Sequence, residues 1–319
     1  MGTLYIDKKG IHIKLDGNTL SFYLNGIKEG SAPINPLKKV IVVGNITLES
    51  SVLNKLTENN ISVIFLSGKR LRFCGMLHGR LHNNGILRIR QYEKFNTSSF
   101  TTELSKELIE KKLIAQVRFL EDAINMRADK RFPLTTSKKI IEGILKKLPQ
   151  TDLTKETIRG LEGSASSAYF QAYTTLFSKS LRFTKRTKRP PQDPVNAMLS
   201  LCYTLLHFEL VREIELIGLD PTIGFYHQFE YGRESLACDL TELYRTEVDC
   251  LVWTMFKERI FTGRDFANDD ERPGCYLKKE SRKRFYPLYE EWAKNIRLKL
   301  TQEVRALAEK IKNEEDIIY

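Results

Sequence analysis

The stretch Glu93-Lys94-Phe95-Asn96-Thr97-Ser98-Ser99-Phe100 divides the chain into two kinds of sequence. Its polar middle, Asn96-Thr97-Ser98-Ser99, carries no apolar period and predicts a hinge. On its N-terminal side, short runs rich in β-branched and aromatic residues are separated by turn residues. Strands are expected at Thr3–Ile6, Ile11–Leu15, Thr19–Leu24, Val40–Val43, Ser62–Leu66 and Arg70–Met76, with Asp16-Gly17 and Asn25-Gly26 as two-residue hairpin turns. A short helix, about Leu48–Glu58, interrupts them. On the C-terminal side, apolar residues recur at helical spacing, predicting helices over 101–128, 137–148, 154–181, 193–217, 233–260 and 279–313. The fourth opens on Asp193-Pro194, an N-cap followed by proline at the first helical position. The expected fold is α+β in two domains: a small β-sandwich-like domain over 1–92, a linker over 93–100, and a larger all-α domain over 101–319.

With 319 residues the chain can build a core in each domain. Its 51 Lys and Arg exceed its 40 Asp and Glu by 11, a surplus that favours a polyanionic partner through counterion release. The cysteines Cys74, Cys202, Cys238, Cys250 and Cys275 are scattered without a C-x-x-C pair, which argues against a zinc cluster and against a secreted disulfide framework. Met1–Gly10 has no apolar signal core, and the greasiest stretch, Ala197–Leu206, is too short to span a bilayer, so a cytoplasmic protein is expected. Gly68-Lys69 would need glycine at position 63, where Val63 stands, so there is no phosphate-binding P-loop.

Three acidic residues and one histidine stand out from these patterns. At about 100° per residue, Ile158, Leu161, Ala165, Tyr169, Ala172, Tyr173 and Leu176 share one helical arc, and Glu162 falls inside it. A carboxylate facing an interior needs a cation or several donors, either a bound ion or a buried Arg or Lys. Asp239 and Glu242, three residues apart on one helical face, repel each other unless a cation or a basic partner joins them. His227 follows Gly224-Phe225-Tyr226 on a connection that begins at Gly218 and Asp220-Pro221, and can point at the next helix. Carboxylates with a single imidazole suit Mg²⁺ or Mn²⁺ better than Zn²⁺. Lys179, Arg182, Lys185, Arg186, Lys188 and Arg189 crowd the segment after the Glu162 helix, placed to track a DNA backbone, and a second cluster holds Lys278, Lys279, Arg282, Lys283 and Arg284.

These residues resemble a known family. Arg159-Gly160-Leu161-Glu162-Gly163 with Ala168-Tyr169-Phe170 is similar to the helix carrying the metal-binding glutamate of the CRISPR-associated integrase that acquires spacers. Arg189-Pro190-Pro191-Gln192-Asp193-Pro194-Val195-Asn196-Ala197 resembles its most distinctive linear motif. Gly218-Leu219-Asp220-Pro221 and Gly224-Phe225-Tyr226-His227 resemble its histidine loop, and Gly232-Arg233 with Ser235-Leu236-Ala237-Cys238-Asp239-Leu240-Thr241-Glu242 its acidic helix. Asp265-Phe266, Gly274-Cys275-Tyr276-Leu277 and the strands through Leu81-His82-Asn83 extend the match over nearly the whole chain. It departs at Tyr244-Arg245-Thr246, where the family often has Phe-Arg-Pro, and at Cys238, where an aliphatic residue is commoner; neither is a ligand position.

The resemblance implies a catalytic role for Glu162, His227, Asp239 and Glu242, with Glu162, His227 and Glu242 as ligands of Mg²⁺ or Mn²⁺ and Asp239 as a supporting acid. It implies an endonuclease and integrase of antiviral defence that inserts spacer DNA into a CRISPR array by 3′-hydroxyl transesterification. The N-terminal domain would serve dimerisation and partner contacts, and the helical domain would be catalytic. The implied partners are double-stranded DNA, a second copy of the chain, and the second universal CRISPR adaptation protein. Two other readings are weighed beside it: a stand-alone metal-dependent nuclease acting on branched or double-stranded DNA, and a non-enzymatic DNA-binding architectural protein.

Overall fold

A computed structural model describes residues 2–79, 84–149, 153–187, 190–268 and 273–312. Leu81-His82-Asn83, Lys188 and Arg189 lie outside the described residues. The first strands are β1 (Thr3–Ile6), β2 (His12–Asp16), β3 (Thr19–Leu24), β4 (Ile27–Pro33), β5 (Lys39–Val43) and β6 (Thr47–Leu48). Helix α1 (Ser50–Glu58) follows, then β7 (Ser62–Leu66) and β8 (Phe73–Leu77). They form two four-stranded sheets, β1-β5-β7-β8 and β4-β3-β2-β6. Ile13 and Leu20 of one sheet, Val40, Val42 and Val63 of the other, and Val52 and Leu56 of α1 share one buried core, which is the sandwich that the β-rich runs and their turns predict. The turn between β3 and β4 has both central residues at positive φ, Asn25 at 50° and Gly26 at 81°, as a tight hairpin of matching twist requires. Strand β4 has no apolar alternation and lies almost wholly exposed at a sheet edge, which is why its sequence carries no strand signal.

The helices are α2 (Gly85–Asn96), α3 (Ser98–Met126), α4 (Arg131–Leu145), α5 (Lys155–Thr174), α6 (Pro194–Ile217), α7 (Ser235–Glu242) and α8 (Arg245–Lys257). A small hairpin, β9 (Phe266–Asn268) and β10 (Cys275–Leu277), precedes α9 (Lys279–Lys312). The expected hinge over 93–100 is corrected here: α2 and α3 occupy it, with Thr97 alone between them. Asn84 caps α2, its Oδ1 accepting the Leu87 N–H at 3.1 Å. Gln91, fully buried, then donates through its side-chain amide to the carbonyls of Asp220 and Ile223, both at 2.9 Å. That long-range anchoring makes a helix of a polar segment.

Helix α6 is the central element of the helical unit. Val195, Met198, Leu199, Cys202, Leu206, Leu210 and Ile214 are each 0 % exposed, so it is buried around most of its circumference. Its length and composition would let it cross a membrane, yet 78 % of its most apolar 18-residue window is covered by the rest of the fold. The expected helix over 233–260 is two helices, broken at Leu243 and Tyr244. Both bury apolar residues, so the period runs unbroken through the break.

Two contact-dense units emerge, Met1–Asn83 with Lys279–Lys294, and Asn84–Lys278 with Asn295–Tyr319. The first half of α9 therefore belongs with the strands, a correction to the expected division at 92 and 101. Its Tyr286 ring stacks on Tyr5 with centroids 4.1 Å apart, and the Tyr286 hydroxyl donates to Asp7 at 2.8 Å. Arg282, counted in the second basic cluster, is buried and donates to the carbonyls of Gly68 and Lys69 at 2.6 and 2.7 Å. Pairings more than 200 residues apart leave no trace in a local pattern.

Truncating the centre of α6 tests its place in the core. Leu206→Ala should lower the unfolding free energy by about 3 kcal/mol, through lost burial and the cavity left behind, read as a lower urea midpoint; a midpoint within error of wild type would contradict a core position.

Candidate active site

The site is assembled from α3, α5, α7, the start of α8 and the loop between α6 and α7. Helix α5 begins at an N-cap, Thr154, whose Oγ1 accepts the Thr157 N–H at 3.2 Å. Ile158, Ala165, Tyr169, Ala172 and Tyr173 are buried, as the predicted arc requires, and Glu162 is half-buried among them. Its Oε1 accepts from Ser166 Oγ at 2.6 Å and from the ammonium of Lys112. Helix α7 brings Glu242, 7 % exposed, to the same ammonium: Lys112 Nζ donates to Glu242 Oε2 at 2.7 Å. Arg245 Nε donates to the other oxygen, Glu242 Oε1, at 2.7 Å.

Asp239 lies one turn earlier on α7 and is completely buried. Its Oδ2 accepts the Phe225 and Tyr226 N–H groups at 2.6 and 2.9 Å. Its Oδ1 accepts the His227 N–H at 2.8 Å and lies 2.7 Å from His227 Nδ1. Gly224 permits this: a Cβ there would lie 2.6 Å from the Ser235 carbonyl carbon and 2.8 Å from Asp239 Oδ2. Arg159 closes the loop from α5, donating to the Tyr226 carbonyl at 2.8 Å. Asp239 thus holds the imidazole by Nδ1 and leaves Nε2 as its ligand or proton-transfer atom.

Electrostatics favour the charged forms of Glu242 and Lys112. Burial works to raise the Glu242 carboxyl, but Arg245 and Lys112 overcome it and hold it well below the usual carboxylate range. Burial works against the Lys112 ammonium, and the charges of Glu242 and Glu162 raise it instead. Behind Arg245 lies a second buried acid, Asp249, whose Oδ1 accepts the Tyr203 hydroxyl. Burial pushes the Asp249 carboxyl up to about 6 despite that bond.

The donor set fits a divalent ion in kind, being two carboxylates and one imidazole with a hydrogen-bonded outer nitrogen. Among the described residues, no group of three or more His, Cys, Asp and Glu side chains stands where one ion could be held by all of them. Two of the three expected ligands, Glu162 and Glu242, instead share one cation, the Lys112 ammonium. His227 is tied to Asp239 beside them.

A family model for CRISPR associated protein Cas1 matches residues 4–291. The chain belongs to the Cas1 family. This Cas1 is 52 % identical to the CRISPR-associated endonuclease Cas1 1 of Thermodesulfovibrio yellowstonii, over 100 % of the chain and 99 % of the relative. A solved Cas1 protein of Thermotoga maritima superposes with a TM-score of 0.82 and 25 % identity, covering 100 % of this chain and 99 % of that one. A casposase bound to integration product shares the fold, with a TM-score of 0.81 and 22 % identity over 99 % of this Cas1 and 92 % of that chain.

The basic segment of this Cas1 divides by burial. Leu181 and Phe183 are buried, the latter against Phe177 with ring centroids 5.2 Å apart, while Lys179, Arg182 and Lys185 are exposed. Arg186 turns inward: its Nη1 donates to Asn196 Oδ1 and the Thr187 carbonyl at 2.7 and 2.6 Å, and its guanidinium lies over the Tyr203 ring. Asn196, fully buried on α6, also accepts from the Thr187 N–H and donates to the Lys185 carbonyl, at 2.9 and 2.8 Å. Arg186 thus differs from its three exposed neighbours in being occupied by the fold. Sequence reasoning missed Lys112, Arg159, Ser166, Arg245 and Asp249 as parts of the site. For Lys112 a signal existed, since Leu108, Ile109, Leu113, Gln116 and Leu120 form the buried stripe of α3 and Lys112 falls on it.

Asp239→Ala strands three N–H groups of the histidine loop and should lower stability by about 3 kcal/mol or more, read as a urea midpoint; a near-neutral change would show that the loop does not depend on this carboxylate. Asp249 gives a pH signature. A carboxyl raised from 3.8 to about 6 on folding favours the folded state at low pH and loses that contribution as pH rises through this window. Wild type should therefore lose stability relative to Asp249→Asn between roughly pH 4 and pH 6, and parallel stability–pH curves for the two proteins would refute the buried-acid assignment.

Proposed function

We propose that this Cas1 is a divalent-metal-dependent DNA endonuclease and integrase that inserts spacer DNA into a CRISPR array. The observation that carries this reading is the convergence of Glu162 and Glu242 from separate helices on one cation, beside a histidine oriented by a buried aspartate. Glu162, Glu242 and His227 would hold Mg²⁺ or Mn²⁺, and the ion would supply Lewis-acid chemistry, acidifying the attacking hydroxyl and offsetting charge on the phosphate oxygens. Asp239 fixes the imidazole so that Nε2 is the atom presented. Arg245 keeps Glu242 ionised and in place. Lys179, Arg182 and Lys185 offer exposed charge to the DNA backbone.

In the proposed reaction, a 3′-hydroxyl oxygen of the incoming fragment forms a bond to phosphorus at the repeat boundary. The bond from that phosphorus to the leaving 3′ oxygen breaks, and a proton moves from the attacking hydroxyl to the departing oxygen by way of the site or solvent. Water in place of the hydroxyl gives cleavage, so a nuclease follows from the same groups. The likeness to the CRISPR-associated endonuclease of Thermodesulfovibrio yellowstonii supports the cleavage reading, and the shared fold of the casposase bound to integration product supports the joining reading. Other fold neighbours are a Cas6-RT-Cas1–Cas2 complex and a TtCas1–DNA complex, which supports Cas2 and DNA as partners for this chain. The homodimer belongs to the same proposal, and the open edge at β4 is one surface in the N-terminal unit available to it.

Glu162→Gln and His227→Ala should each reduce both cleavage and joining of labelled DNA to below about one-hundredth of wild type, as should EDTA, while gel-shift binding of the same DNA persists. Full strand transfer by purified His227→Ala protein in Mn²⁺ would refute the assignment. Cut products without joined products, in the presence of the cognate partner and leader–repeat DNA, would favour the stand-alone nuclease.

A further inference from the structure

A lysine in the middle of a site proposed for a divalent cation needs a reason. The Lys112 side chain is only 4 % exposed and sits on the stripe of α3 that includes Ile109, Leu113 and Gln116. Burying an ammonium is costly unless its partners are close, and here they are Glu162 and Glu242. Arg245 occupies the second oxygen of Glu242. Two carboxylates thus meet two cations, and the charge closes without any further ion. Adding a divalent ion between the same carboxylates, with both basic groups still in contact, would leave two uncompensated positive charges in a low-dielectric setting.

One of the two basic groups therefore has to yield, and the geometry selects which. The Arg245 guanidinium is planar, lies 4.9 Å from the Tyr203 ring centroid, and is held from that side. Lys112 presents a point charge on a flexible four-carbon stem. We propose that Lys112 is a positioning residue of the metal site: its ammonium holds Glu162 and Glu242 together, and is exchanged for the divalent ion when the site is loaded. It rests on the metal-dependent reading given above. The exchange makes the affinity for metal a difference between two cations competing for one pair of carboxylates. It also leaves a displaced ammonium close to the ion, where an incoming DNA phosphate can pair with it, so metal and DNA should bind more tightly together than separately.

The test measures Mn²⁺ binding by isothermal titration calorimetry, and thermal unfolding in EDTA and in Mn²⁺, for wild type, Lys112→Met, Lys112→Gln and Glu162→Gln. Both Lys112 variants should bind Mn²⁺ about tenfold or more tightly than wild type, since the competitor is gone. Both should melt lower than wild type in EDTA and gain more from Mn²⁺ than wild type does. Lys112→Gln keeps a polar donor and similar length, so it serves if Lys112→Met does not fold. Mn²⁺ affinity equal to or weaker than wild type in a folded Lys112 variant overturns the exchange, because a merely structural lysine would not be a competitor. Retained wild-type Mn²⁺ binding that is lost in Glu162→Gln would, in that event, leave the metal reading standing. Absence of Mn²⁺ binding to every protein, with activity surviving EDTA, would overturn both.

Discussion

Two ionised carboxylates drawn together from different helices repel unless a cation or several donors join them, and that constraint organises this site. Glu162 of α5 and Glu242 of α7 meet at Lys112 of α3, so the helices are locked by charge as well as by their apolar faces. Removing Lys112 takes from Glu162 its cation, and removing Glu242 takes from Arg245 the carboxylate it donates to. The surrounding fold is accordingly arranged to keep the pairings satisfied: Ser166 donates to Glu162, and Arg245 takes the remaining oxygen of Glu242. Arg245, three residues beyond Glu242 and at the start of α8, is a neighbour of that acid at i+3 spacing.

The histidine side of the site is built on a different principle. Among the described residues no Lys or Arg side chain bonds Asp239 as Lys112 bonds the glutamates; its carboxyl is met by backbone N–H groups at 225, 226 and 227 and by the imidazole. A carboxylate satisfied by a rigid backbone cannot easily change partners. The absence of a side chain at Gly224 and the Arg159 bond to the Tyr226 carbonyl tighten that loop further. One half of the site is thus fixed by the main chain, and the other is held by a flexible side chain.

How much of this could be read from sequence follows from where the signals reside. The sandwich and α6 were legible because β-branched runs, turn residues and helical period are local, and Asp193-Pro194 marked the start of α6 within a single residue. Glu162 stood out because a carboxylate interrupted an apolar arc, and the expectation of either an ion or a buried basic partner was correct in its second form: that partner is Lys112. The identity of the partner was obscured because it comes 50 residues earlier, on a helix whose stripe is otherwise apolar. The same distance effect concealed the first half of α9 in the strand-rich unit and the anchoring of α2 by Gln91. Arg186 shows the opposite error: a basic residue in a basic run looks like a DNA contact, yet its guanidinium is used by Asn196 and Tyr203.

The two halves of the site suggest a division of labour. On the proposed metal-dependent reading, an imidazole whose orientation is set in advance, as that of His227 is by Asp239, would add little reorganisation when an ion arrives. A carboxylate pair already gathered around an ammonium is likewise close to the arrangement an ion needs, and differs from it in which cation is present. Preorganisation of this sort lowers the conformational cost of loading while the competing ammonium reduces the affinity. Those effects oppose each other in the free protein, and a DNA phosphate shifts the balance because it adds negative charge that the carboxylate pair alone cannot supply. Under the proposed exchange, such a site would hold its ion most firmly with DNA present, which would limit the proposed chemistry to DNA that has been correctly seated.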